Sequence, residues 1–97
     1  ESSLYGRSAR LTRINWLLDP AGLPQPCPVQ AKIRYASPAV SATLEWDRTG
    51  EDGGAAIIRF DLPQRAITPG QACVFYEGPR VLGGGWIESW EPISITL

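Results

Sequence analysis

The sequence predicts an all-β protein, a six-stranded antiparallel β-barrel, on three observations. Its apolar segments are short, and several alternate with polar residues at a period of two. Clusters of Gly, Pro, Asp and Ser separate those segments at fairly regular intervals. No stretch has the length and spacing of a long amphipathic helix. Six short strands expose edges that a closed or nearly closed barrel hides.

Each element follows from local pattern. Ser8–Trp16 alternates, which sets Leu11, Arg13 and Asn15 on one face and Thr12, Ile14 and Trp16 on the other. Asp19–Pro28 holds four prolines and a glycine and reads as a loop. Val29–Tyr35 alternates again, with Val29, Ala31, Ile33 and Tyr35 inward and Gln30, Lys32 and Arg34 outward. Ser37-Pro38 breaks that strand. Val40–Trp46 forms the next, with Val40, Ala42, Leu44 and Trp46 inward. A turn rich in charge and glycine, Asp47–Gly54, leads into Ala55–Phe60, whose apolar residues on both faces predict fuller burial. Asp61–Gln71 reads as a connection, with Pro63 and Pro69-Gly70 in it. Ala72–Tyr76 and Val81–Trp90 then pair across the Glu77–Arg80 turn.

A chain of 97 residues is one domain, 1–97. At that size folding buries roughly 60–65% of the unfolded surface, enough for one modest core. An apolar fraction of 43% and a charged fraction of 20% are those of a soluble globular protein. The chain begins at Glu1 and contains no Met, so we read it as a piece of a longer protein. No apolar run approaches the ~20 residues of a membrane helix, and no signal-peptide pattern is present.

The net charge of −1 conceals an asymmetry: residues 1–40 hold five basic groups against two acidic, and residues 41–97 hold four against eight. Overall charge therefore gives no support to free-standing nucleic-acid binding, although a local basic face remains open. Cys27 and Cys73 read as reduced thiols. With no histidine, two thiols do not complete a four-ligand zinc site.

The residues for catalysis are missing. No histidine is present to act as a base near neutral pH. Lys32 is the only lysine and belongs to no phosphate-binding loop. Gly83-Gly84-Gly85 precedes no helix that would offer free amides, and reads instead as close backbone approach or a bulge where the barrel turns. Asp47, Glu51 and Asp52 sit in a glycine-rich turn and read as solvated charges. Cys73 lies inside a strand with no neighbouring base in sequence. The residues alone give a non-catalytic β-barrel.

Two longer stretches carry more information. One is Gln30-Ala31-Lys32-Ile33-Arg34-Tyr35. The other runs from Phe60 through Thr68-Pro69-Gly70-Gln71 and Val74-Phe75-Tyr76 to Leu82-Gly83-Gly84-Gly85-Trp86-Ile87. Their order, Lys-x-Arg-Tyr, Thr-Pro-Gly-Gln-x-x-Val-Phe-Tyr and Leu-Gly-Gly-Gly, resembles the C-terminal domain of the tRNA-specific 2-thiouridylases over residues 8 to 88.

The resemblance implies a six-stranded barrel similar to the second domain of elongation factor Tu. It implies a parent enzyme that thiolates the wobble uridine of tRNA. Such enzymes use ATP, with Mg, and a cysteine persulfide, both handled by an N-terminal domain absent from this chain. This barrel would hold no cofactor or metal of its own and would supply neither catalytic cysteine. The partners implied are tRNA and, through the parent, a sulfur-donor protein; the location implied is the cytoplasm, with no membrane partner.

In the family, the motif residues that fall on Arg34, Tyr35 and Gln71 lie against tRNA. Arg34 suits a forked contact to a phosphate, or stays a solvated surface charge. Tyr35 either stacks on RNA or joins the core, as its alternation suggests. Gln71 offers its amide from a fixed turn, or only closes that turn. Lys32 shares the face of Arg34; Arg65 and Arg80 are weaker candidates. Many relatives carry a further basic residue after Arg-Tyr where this chain has Ala36-Ser37, so the basic footprint is small. A second function class is a structural or protein-docking barrel that uses Trp86 and Trp90; ordinary barrel packing is the plainer reading for Trp86 and an equal one for Trp90.

Overall fold

The structure is a computed structural model that describes residues 5–34, 37–50 and 53–92. Its six strands are β1 (Tyr5–Trp16), β2 (Cys27–Lys32), β3 (Val40–Asp47), β4 (Ala55–Arg65), β5 (Ala72–Glu77) and β6 (Arg80–Pro92). They close into a barrel in the order β1-β4-β3-β2-β5-β6, with every neighbouring pair antiparallel. Among the described residues each strand thus has a neighbour on both sides, and closure removes the exposed edge that an open sheet would present.

Alternation fills the interior as the sequence predicts. Val29, Ala31 and Ile33, then Ala42 and Leu44, then Ala56, Ile58 and Phe60 all point inward and are buried. Phe75, Leu11, Leu82 and Ile87 complete the centre. Burying each large side chain is worth about 1.5–3 kcal/mol, so this layer supplies most of the drive to fold. Trp16 packs edge-on against Trp46 at 5.2 Å and Phe75 at 5.4 Å between ring centroids, and closes one part of the core. Gln25 pins the loop before β2 to β3, since Trp46 N donates to its Oε1 at 2.8 Å and its Nε2 donates to Trp46 O at 3.2 Å.

Four expectations need correction. Leu11 and Ile14 do not lie on opposite faces: both are buried, because Arg13 takes φ 54° and two residues, Arg13 and Ile14, oppose Gly85 alone. That is a β-bulge, which resets the alternation and turns Arg13 outward. Second, β2 begins at Cys27, within the expected loop, and ends at Lys32. Third, β4 continues to Arg65 through Pro63, because the stretch around Pro63 bulges away from β1 before Gln64 re-pairs with Gly6. Fourth, the outer face of β4 is only half covered at Ala55 and Ile57, and Arg59 is exposed. Tyr35, Glu51 and Asp52 lie outside the described residues.

The expected close approach at the glycine triplet is present. A Cβ on Gly83 would stand 2.5 Å from Asn15 O, one on Gly84 3.1 Å from Cys73 O, and one on Gly85 2.6 Å from Ile14 Cδ1. The clash at Gly83 is with a backbone oxygen, which cannot swing aside as a side-chain tip can. Across β5, the Glu77–Arg80 hairpin turns on Gly78 at φ 58°, as tight primed turns require.

Two expected outcomes follow. Gly83→Ala should destabilise the fold by about 1–3 kcal/mol, read as a lowered urea midpoint, because it overpacks a filled site. Gly22→Ala, where nothing lies within 4 Å, should be nearly neutral. The Cys73 thiol is pushed up to about 12 by burial, and Cys27 is also raised, by burial and then by the charge of Glu77. Since the unfolded chain releases the Cys73 proton first, stability should fall as pH rises from about 8.5 towards that value, by roughly 1.4 kcal/mol per unit. The fall should be shallower in Cys73→Ala, followed by urea unfolding at several alkaline pH values.

Candidate nucleic-acid interface

Lys32 and Arg34 owe their placement to their neighbours. Ala31 and Ile33 are drawn into the core, so the residues between and after them face outward, both half-buried. β2 pairs with β5 so that Lys32 stands opposite Val74 and Gln30 opposite Tyr76. Beyond the strand, Arg34 O accepts from Ser37 N at 3.2 Å.

Gln71 reaches the same place from the other side. Pro69-Gly70 turns the chain, with Gly70 at φ 92°. Gln71 then enters β5 beside β6, where Ile87 N donates to Gln71 O at 2.8 Å. Its side chain curls back over the turn: Thr68 N donates to Gln71 Oε1 at 3.0 Å. A backbone amide can only donate, so the oxygen of this amide is the end held by the turn. Nε2 has no partner among the described residues and is free to donate. The turn-closing contact is thus present, and it leaves the nitrogen end of the amide without a partner.

Lys32, Arg34 and Gln71 border one open cleft of about 460 Å³, floored by Ala72, Val74 and Tyr76. Among the described residues no carboxylate borders it. Elsewhere on the barrel, cations are neutralised: Arg7 by Glu91, Arg10 by Glu88, Arg48 by Asp19, Arg59 by Glu45 and Arg80 by Glu77. Such exposed pairs are worth about 0–1 kcal/mol each, so their main effect is on the field outside the barrel. Among the described arginines, Arg13, Arg34 and Arg65 have no ion pair. Arg80, bound to Glu77, is the weakest of the sequence candidates. Tyr35 is outside the described residues; the aromatic ring at the cleft is that of Tyr76, half-buried. The alternation of Ala72, Val74 and Tyr76 along β5 was the available signal for it.

The two tryptophans part company. Trp90 is half-buried and packs on the core beside Gly6. Trp86 is not packed as expected, for it is 49% exposed and stands on the outer face opposite Thr12 and Ala72. It borders a second cleft, of about 290 Å³, together with Arg13, Asn15, Val74, Val81 and Gly84. The bulge that turns Arg13 outward has no local sequence signature, because it depends on which residue of β6 lies across from it.

Around the glycine triplet the nearest atoms include the carbonyl oxygens of Asn15, Cys73 and Thr12, which would repel a phosphate. The triplet thus does not fit the phosphates of ATP. Cys73 is sealed from solvent. Among the described residues, no three His, Cys, Asp or Glu side chains gather to hold a metal, and no helix is long and apolar enough to cross a membrane.

Known proteins with similar sequences give the geometry a family. The aminomethyltransferase beta-barrel domain family matches residues 7–87. The chain is 54% identical over 85 residues to the tRNA-specific 2-thiouridylase MnmA of Magnetococcus marinus, covering 88% of this chain and 22% of that protein. Against the MnmA of Heliobacterium modesticaldum it is 49% identical, covering 90% and 22%, and against that of Koribacter versatilis 48%, covering 87% and 21%. It spans about a fifth of the length of these relatives. A closed barrel with the Lys-x-Arg, Pro-Gly-Gln and Gly-Gly-Gly stretches in register thus has its kin, and the chain belongs to the aminomethyltransferase β-barrel domain family, in the form found in tRNA-specific 2-thiouridylases.

Proposed function

We propose that this barrel is the non-catalytic, tRNA-contacting C-terminal domain of an ATP-dependent enzyme that 2-thiolates the wobble uridine of tRNA in the cytoplasm. One observation carries the reading: Gln71, far in sequence from Lys32 and Arg34, borders one cleft with them, and no carboxylate among the described residues borders it. Arg34 gives a forked, charge-assisted contact to a phosphate, and the Nε2 of Gln71 donates to an adjacent phosphate or sugar oxygen. ATP, Mg and the persulfide chemistry belong to the N-terminal part of the parent enzyme. The barrel's share of the reaction is to hold RNA in position while the neighbouring domain reacts.

A footprint of two or three phosphates gives a salt slope near −2, weak on its own and useful as one arm of a larger surface. In the full-length enzyme, Arg34→Ala should weaken tRNA binding by about tenfold and reduce the slope of log K against log salt by about one. Arg80→Ala, which removes a charge already held by Glu77, should change neither. A docking role for the barrel, towards a sulfur-donor protein or the catalytic domain, has the exposure of Trp86 in its favour. Were the double variant Arg34→Ala, Gln71→Ala to bind tRNA normally while partner association falls, the docking role would replace the RNA role.

A further inference from the structure

The cleft at Arg34 and the cleft at Trp86 are not separate features. Both are bordered by Ala72 and Val74, so β5 forms a shared floor between them. Together they make a band across β2, β5, β6 and β1, three strand steps or roughly 14 Å wide. Among the described residues no carboxylate borders either cleft, whereas five arginines are held in ion pairs elsewhere on the surface. The band ends in an unpaired guanidinium on each side, Arg34 at one and Arg13 at the other. Between them lie small apolar side chains and the half-exposed ring of Trp86.

That composition matches a single-stranded or unstacked stretch of RNA better than an apolar protein segment. A polyanion gains from cations at both ends, and the carboxylate nearest Trp86, that of Glu88 in the adjoining cleft, is held by Arg10. An exposed indole on a low floor of Ala, Val and Gly is a stacking platform for a base, and Asn15 beside it offers an amide to a base edge. We propose that Trp86 stacks on an unpaired nucleobase of the tRNA while Arg13 holds its phosphate. The band so formed carries the RNA path from the Arg34 cleft across β5 to β1. The inference rests on the tRNA-contact reading given above and extends it to Arg13 and Trp86.

The test is tRNA binding by the full-length enzyme with labelled tRNA, over a range of salt. Trp86→Ala should weaken binding about tenfold, the scale of one base–aromatic stack, and leave the salt slope unchanged. Trp86→Phe should restore most of the affinity. Arg13→Ala should weaken binding several-fold and lower the slope by about one. Trp86 is half-exposed, so both Trp86 variants should melt near the wild type, and the Phe variant keeps the test valid if Ala does not. Trp86→Ala and Trp86→Phe binding tRNA within twofold of wild type would overturn the inference, as would a loss confined to association with a protein partner. Arg34→Ala measured in parallel separates the two claims: if it weakens binding while Trp86→Ala does not, only the stacking site falls. If neither variant weakens binding, both readings fall.

Discussion

The barrel depends on how closely β6 lies against its two neighbours. Gly83, Gly84 and Gly85 bring its backbone so near to β1 and β5 that a methyl group at Gly83 or Gly85 would overlap Asn15 O or Ile14 Cδ1. This approach lets the sheet curve enough to close at six strands. It also makes room for the extra residue in β1, since Arg13 and Ile14 share Gly85 as their partner. One stretch of sequence without side chains thus sets the curvature, keeps Ile14 in the core and turns Arg13 to the solvent.

The outer surface follows a second rule. Four ion pairs bridge separate parts of the chain, Arg7 with Glu91, Arg10 with Glu88, Arg48 with Asp19 and Arg59 with Glu45. All are exposed and contribute little to stability. What they do is cancel charge over much of the barrel, while Arg13 and Arg34, at the two sides of the band over β5, keep theirs. A net charge near zero is therefore compatible with a local anion-binding face, because the field that a ligand meets is set by arrangement and not by the total.

Much of this was legible in the sequence. Period-two alternation fixed the inward set of β2 and β3, and turn residues marked most strand ends. The motifs gathered Lys32, Arg34 and Gln71, which the fold does bring to one cleft. What was not legible is non-local. The bulge at Arg13 exists because Gly85 lies across from it, and no window along β1 contains that fact. Likewise Pro63 looked like an end to β4, yet it sits where β4 bulges away from β1 and its missing donor costs no ladder bond. Trp86 was read as packing because a large apolar residue in a strand usually is buried. Its outward position follows from Gly85 and Ile87 on either side, both drawn inside.

The sealed thiol of Cys73 has a meaning beyond packing. Its sulfur lies in the wall of the barrel, with no exposure and a protonation that persists far into alkali. A thiol so held is a poor nucleophile and gives no access to an incoming sulfane sulfur. For a domain proposed to work beside activated sulfur, that silence is useful: Cys73 offers no decoy to intercept a persulfide on its way to the base. Enclosure lets this wall carry cysteine without taking part in the traffic of sulfur around it.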